Sequence, residues 1–315
     1  MKNRNLTMSV CALFLAIASA TLAAQEPADG VSHFKNVNAP GAVQTDPYAI
    51  NKAGDIAGDY VDSSGVQHGM VLKGKTLTTI DRSGCVTTPG PDGIAFYGIN
   101  TAGTLVGWCQ DIKTGFDDAF SYAKGKFVTI SFPKSMGTQA HGINDKGQIV
   151  GTYFDSADAQ HGFLLSAGKY TSLDAPGETG TDAWGINNKG LITLFALNSG
   201  GTYDSFLFSS KKYIMINVPG ETSSFVAAID TSGDRIYTVL DPSNNSHGAF
   251  FLNASGGMYF VFDDPSGVGT TEAFGLNDNL KMVGRYAPTR SMKPQSSSSQ
   301  GFSALGCCKG AEPDR

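Results

Sequence analysis

The chain has 315 residues, 39 of them glycine, with 19 phenylalanines, 11 tyrosines and a formal charge of −5. A net negative chain repels phosphate backbones and anionic lipid, so nucleic acid and membrane surfaces drop out as partners. After the first 24 residues no apolar run approaches the roughly 18 residues a spanning helix needs, which argues against membrane insertion.

Met1 to Ala24 reads as a signal peptide: Lys2 and Arg4 precede an apolar run from Met8 to Ala18, followed by a small-residue exit through Ala20, Ala23 and Ala24. Cys11 sits inside the apolar run after Val10, which argues against a lipoprotein. The predicted mature chain is secreted or periplasmic, with 21 basic and 28 acidic residues, a charge of −7. Residues 25–31 read as a flexible lead-in, residues 32–305 as one repeat domain and residues 306–315 as a tail.

Within the repeat domain one phrase returns six times: an aromatic or small residue, Gly or Ala, Ile-Asn, a glycine turn, and an apolar strand. The copies centre on Ile50-Asn51, Ile99-Asn100, Ile143-Asn144, Ile186-Asn187, Ile229-Asp230 and Leu276-Asn277, at spacings of 49, 44, 43, 43 and 47 residues. Repeats of roughly 40 to 50 residues match a four-stranded propeller blade. In the third copy, strands are expected over Gln139 to Asn144, Gln148 to Phe154, His161 to Ser166 and Lys169 to Ala175, with Pro176-Gly177 ending the pairing. Gly147 supplies the positive φ of the hairpin loop, as do Gly54, Gly103, Gly190 and Gly233 in their copies. The sixth copy has Leu280 at that place, so Asn279 is expected to take the left-handed conformation instead.

The sixth copy stops after its third strand, Gly301 to Leu305, whereas Ser32 to Gly41 matches the fourth-strand phrases Tyr170 to Gly177 and Tyr213 to Gly220. The expectation is an all-β, six-bladed β-propeller closed by the N-terminal strand completing the last blade, which hides both open edges. A β-solenoid is the alternative, with shorter coils and capping ends that this sequence lacks.

Phe-Gly-Leu-Asn and Trp-Gly-Ile-Asn, with Gly-x-Ile-Val-Gly-x-Tyr, His-Gly-Phe-Leu-Leu and Leu-Asp-Ala-Pro-Gly, resemble the HAF-repeat extracellular proteins of bacteria. That resemblance spans nearly all of Ser32 to Leu305 and implies secretion and a repeat β-fold, with no catalytic residue to carry over.

His68, His161 and His247 each follow an aspartate by six residues, Asp62, Asp155 and Asp241. Constant spacing in alternate blades points to structural hydrogen bonds within a loop; three sites so far apart cannot share one ion, so no metal is expected. Asp59 to Gly65 and Asp155 to Asp158 lack the closing glutamate of a calcium loop. No nucleophile elbow, phosphate loop, dinucleotide fingerprint or zinc helix is present, and no cofactor is expected.

Two residues before each anchor Ile or Leu stand Tyr48, Tyr97, His141, Trp184, Ala227 and Phe274. As members of the innermost strands they should ring the axis, where aromatic faces can stack on sugars or instead fill the wedges between blades. Loops leading into those strands are expected to bring Asp46, Asp92, Glu178, Asp182, Glu221 and Glu272 to the same face as solvated acids. Cys85, Cys109, Cys307 and Cys308 allow three full pairings; Cys85 with Cys109 is preferred because both fall in the second repeat.

Uniform repeats without an asymmetric catalytic cluster favour a non-catalytic secreted module that binds polysaccharide or a surface protein. The other reading is a carbohydrate-active hydrolase or lyase, with Trp184 or Tyr97 as platform and Glu178 and Asp182 as acid and base.

Overall fold

The computed structural model describes residues 31–87, 93–253, 257–287 and 300–306. These form a six-bladed β-propeller of four-stranded antiparallel sheets, and none of their helices is long and apolar enough to cross a membrane. After β1 (Val31–Asn36), blade one comprises β2 (Gln44–Ile50), β3 (Ile56–Val61), β4 (Gln67–Lys73) and β5 (Thr76–Ile80). Blade two is β6 (Ala95–Ile99), β7 (Leu105–Gln110), β8 (Asp117–Ala123) and β9 (Lys126–Ile130); blade three is β10 (Gly137–Ile143), β11 (Ile149–Phe154), β12 (Gln160–Ser166) and β13 (Lys169–Leu173). Blade four is β14 (Gly180–Ile186), β15 (Ile192–Leu197), β16 (Tyr203–Ser209) and β17 (Lys212–Met215); blade five is β18 (Ser223–Ile229), β19 (Arg235–Leu240), β20 (Ser246–Leu252) and β21 (Met258–Phe262). Blade six is β22 (Thr271–Leu276), β23 (Lys281–Tyr286) and β24 (Gln300–Gly306), with β1 as its outer strand. β1 runs antiparallel to β24, Lys35 opposite Ser303 and Asn36 opposite Phe302, and the Val37 amide donates to the Gly301 carbonyl at 2.9 Å. The leader Met1 to Ala24, residues 25–30, Asp92 and Cys307-Cys308 lie outside the described residues.

Each position of the repeated phrase has a separate physical task. In every blade the register between the first and second strands slips by one residue, at Tyr48, Tyr97, His141, Trp184, Ala227 and Phe274 in turn. A bulge residue is left out of the ladder and its side chain is re-aimed; here it turns to the central axis. The next residue is small because the neighbouring blade crosses there: a Cβ on Gly142 would meet the Trp184 carbonyl at 2.5 Å. The following Ile or Leu is buried in five blades, and Ile143 in the third is half-buried. The Asn then both shapes its own turn and links blades: Asn144 Oδ1 accepts from the Gln148 amide at 3.0 Å, and its Nδ2 donates to the Asn187 carbonyl, also at 3.0 Å.

Gly147 takes φ +72 in this turn, yet in the sixth copy Leu280 itself holds φ +57, not Asn279. The turn dictates the place: Asn277 Oδ1 accepts from the amides of Asn279 and Lys281, and the Leu280 amide returns to the Asn277 carbonyl at 2.9 Å. The residue closing that loop must be left-handed whatever its side chain, at a cost of about 1 kcal/mol for leucine.

The core is divided among the interfaces between blades. Phe96 and Phe120 of blade two pack with Ala57 and Val71 of blade one, and Phe163 of blade three packs with Val106 and Ala119 of blade two. Cys85 and Cys109 form a disulfide that ties the lead-in of blade two to β7.

Candidate functional site

Six inner strands enclose a narrow axial channel with chemically different mouths. One is rimmed by the bulge residues Tyr48, Tyr97, His141, Trp184, Ala227 and Phe274 and holds about 80 Å³. The other is rimmed by the anchor Asn residues, Asp230 and the turn residues that follow them. Around the first, ring contacts run from Phe274 to Tyr48 (5.0 Å), Tyr48 to Tyr97 (4.5 Å), Tyr97 to His141 (5.5 Å) and His141 to Trp184 (4.2 Å). The sequence-derived rim residues therefore do converge. Their rings are half-buried except His141, which is 1% exposed.

A second tier lies behind the rim. Two residues before each bulge, the strands pair in one common register: Asp46 with Asp59, Ala95 with Trp108, Gln139 with Thr152, Asp182 with Phe195, Phe225 with Thr238, Glu272 with Arg285. Directly opposed residues share a sheet face, so this tier lines up around the ring. The expected solvated acidic loops are corrected here: Asp46, Asp182 and Glu272 are strand residues, and Asp46 and Asp182 are buried.

The tier is strongly asymmetric. Where blades six and one meet it is ionic: Arg285 Nε donates to Glu272 Oε2 at 2.6 Å, Nη1 lies 3.4 Å from Asp46 Oδ2, and the guanidinium sits 5.5 Å from the Phe274 centroid. Burial, and then the neighbouring Asp46, holds the Asp59 carboxyl well above the usual carboxylate range. Burial likewise raises the Tyr48 and Tyr97 phenols, with the nearby charges adding to it, so both remain protonated donors. At blades three and four, His141 Nδ1 lies 2.9 Å from Asp182 Oδ1, close enough for an ion pair but too oblique for a hydrogen bond. The Thr152 hydroxyl donates to that same oxygen. Blades four and five are aromatic, with Trp184, Phe195 and Phe225 joined through ring contacts of 5.6 and 5.5 Å.

Glu178 does not join this assembly. It occupies the turn before β14, its amide bonded to the Ala175 carbonyl, with Glu221 in the matching turn before β18. Burial raises both carboxyls, and Asp204 raises Glu178 further. Asp182, in β14, faces His141 and Thr152, whereas Glu178 lies in the turn before that strand.

Three histidines outside the rim, His68, His161 and His247, are clamps between two carboxylates. Nε2 of His68, His161 and His247 lies 3.5 Å from Asp62, Asp155 and Asp241. Nδ1 makes shorter contacts with Asp81, Asp174 and Asp263 at 3.1, 2.8 and 3.0 Å, partners that follow the fourth strand and that sequence reading missed. Among the described residues no three His, Cys, Asp or Glu side chains are grouped to hold a metal ion. Sequence reading also missed Asp59 and Arg285; their constant offset from the bulge was the available signal.

No protein-family model and no curated protein sequence matches the chain. Its fold is similar to that of solved six-bladed propellers. A mutant of the Aleuria aurantia lectin, in complex with Fucalpha1-6GlcNAc, aligns over 88% of this chain and 100% of its own at TM-score 0.51 and 12% identity. SapL1 lectin in complex with alpha methyl fucoside aligns over 86% and 96% at TM-score 0.53 and 9% identity. TolB from Acinetobacter baumannii aligns over 80% of this chain and 64% of its own at TM-score 0.55 and 11% identity. At such identities the likeness speaks for the fold alone, and the fold hosts more than one role.

Proposed function

We propose that this chain is an exported, HAF-repeat-type propeller that binds carbohydrate without transforming it. The observation that carries the reading is the aromatic rim at one channel mouth. Indole, phenol and phenyl faces stack on the apolar faces of sugar rings, while nearby charged groups fix hydroxyls; here Glu272 and Arg285 stand beside Phe274. The channel beneath the rim holds about 80 Å³, enough for a water or two at roughly 30 Å³ each and too little for a pyranose. A saccharide would lie across the rim. Fold likeness to lectins described with fucosyl ligands supports this choice and makes fucosides sensible first probes.

The hydrolase or lyase reading needs two carboxyl groups flanking one bond, and the separate placement of Glu178 and Asp182 weighs against it. A glycan array followed by calorimetric titration tests the proposal, with Trp184→Ala expected to weaken binding about tenfold or more. Polysaccharide turnover that disappears in Asp182→Asn would overturn it. Export is tested separately, by fractionating cells that express the chain with and without residues 1–24.

A further inference from the structure

Ala227 breaks the aromatic rim, and the break opens into a cavity of about 300 Å³ between blades four, five and six. Its walls include Trp184, Phe195, Phe225, Leu240 and Phe274, with Glu272 contributing a carboxylate. The other rim positions carry a ring, and successive rings touch from Phe274 round to Trp184. At Ala227 a methyl group stands where that series demands an aromatic side chain.

We propose that this cavity binds a small substituted phenol, whose ring takes the place of the missing side chain. The volume is roughly twice the ~150 Å³ apolar cavity that accepts benzene in a well-studied lysozyme variant, so one ring with substituents fits. Trp184 and Phe274 line the cavity and offer ring surface to an aromatic ligand. The hydroxyl of Thr238, also on the wall, is already engaged with the Ala273 backbone in both directions. Glu272 has one oxygen held by Arg285, and a carboxylate retains further acceptor capacity, so the ligand's hydroxyl donates to it. Sugars, with a hydroxyl on nearly every carbon, fit these walls poorly. The cavity shares Trp184, Phe274 and Glu272 with the saccharide rim and adjoins it, and differs from it in offering a ring-sized apolar recess at Ala227.

The test is titration of the full chain with p-cresol, with toluene and benzoate for comparison. p-Cresol should bind more tightly than toluene, which lacks the donor, and benzoate should be excluded by the Glu272 charge. Ala227→Phe should weaken p-cresol at least about tenfold while leaving the melting temperature unchanged or higher. If that variant fails to fold, methyl NMR of the wild type decides: p-cresol should shift the Ala227 and Leu240 methyl resonances. Absence of those shifts, or undiminished binding by a folded Ala227→Phe chain, overturns the proposal. Either result leaves the carbohydrate reading standing, because saccharide binding is measured independently.

Discussion

Asn277 donates its Nδ2 proton to the backbone carbonyl of Asn51 at 2.8 Å, across the seam between the last blade and the first. The same bond joins Asn51 to Asn100, Asn100 to Asn144, Asn144 to Asn187 and Asn187 to Asp230, at 3.2, 3.3, 3.0 and 2.8 Å. One link is missing from this circle, between blades five and six. Asp230 stands where the donor should be, and an ionised carboxylate has no proton to give.

Asp230→Asn is therefore expected to stabilise the protein. The Asp230 carboxyl is pushed up to about 6, first by burial and then by Asp234. A carboxyl with a raised folded-state pKa stabilises fully below its unfolded value, about 3.9, and that contribution is lost as pH rises through about 6. The amide removes the ionisation and supplies the sixth blade-to-blade bond, worth about 1 kcal/mol net. Thermal unfolding at pH 7 should shift upward by about 2–4 °C, with little shift at pH 4. An equal gain at both pH values would assign it to something other than the charge.

The acid limb should behave in the opposite sense. Asp62 and Asp155 are held below the usual carboxylate range chiefly by the backbone N–H groups of Val66 and Ala159, and Asp241, chiefly by the Asn245 side chain, is lowered to about 2. Their contribution is present above about pH 4 and is lost as pH falls toward about 2. A triple Asp→Asn variant at these positions should show a flatter fall in urea midpoint between pH 4 and pH 2 than the wild type. Parallel curves would remove these loops from the account of acid unfolding.

The blade count, the rim and the turn glycines were legible because repetition aligns equivalent positions and makes each one visible six times. The bulge was not, since a one-residue slip in register changes no composition; it explains why Tyr48 and Trp184 turn to the axis when simple alternation would not require it. The second partner of each histidine was hidden by unequal spacing, 13 residues for His68 and His161 but 16 for His247. Arg285 reaches Asp46 only because the ring closes, and no local pattern encodes a contact across the seam. The Ala227 cavity was written in the sequence as the exception in a series of rings, but its volume depends on walls from three blades.

Opening the Cys85–Cys109 bridge should destabilise the second blade. Both cysteines are buried, and they close a loop with a sequence separation of 24. Releasing a loop of that length returns entropy to the unfolded chain worth about 3 kcal/mol. Cys85→Ser/Cys109→Ser should melt several degrees lower than the wild type, and a reductant should lower the wild type toward the variant without affecting the variant. A wild type indifferent to reductant after full unfolding and refolding would mean that this bridge contributes no stability.

The ionic tier behind the rim makes the sharpest mutational contrast. Arg285 is the cation that contacts both Glu272 and Asp46, and Asp46 is only 2% exposed. Removing the guanidinium takes the positive charge away from the Glu272 and Asp46 carboxylates, so Arg285→Met should cost about 2–4 kcal/mol, somewhat reduced by the guanidinium's partial exposure. The double variant Arg285→Met/Asp46→Asn should recover part of that loss, because it removes one of the stranded charges. Asp59→Asn should act in the opposite direction: the buried Asp59 carboxyl is already held protonated well above its ordinary range, so the neutral amide should stabilise progressively as pH rises. Urea unfolding of the four chains at pH 5 and pH 8 separates these terms, and a destabilised Asp59→Asn at pH 8 would show that the Asp59 carboxylate, not its protonated form, is what the fold requires.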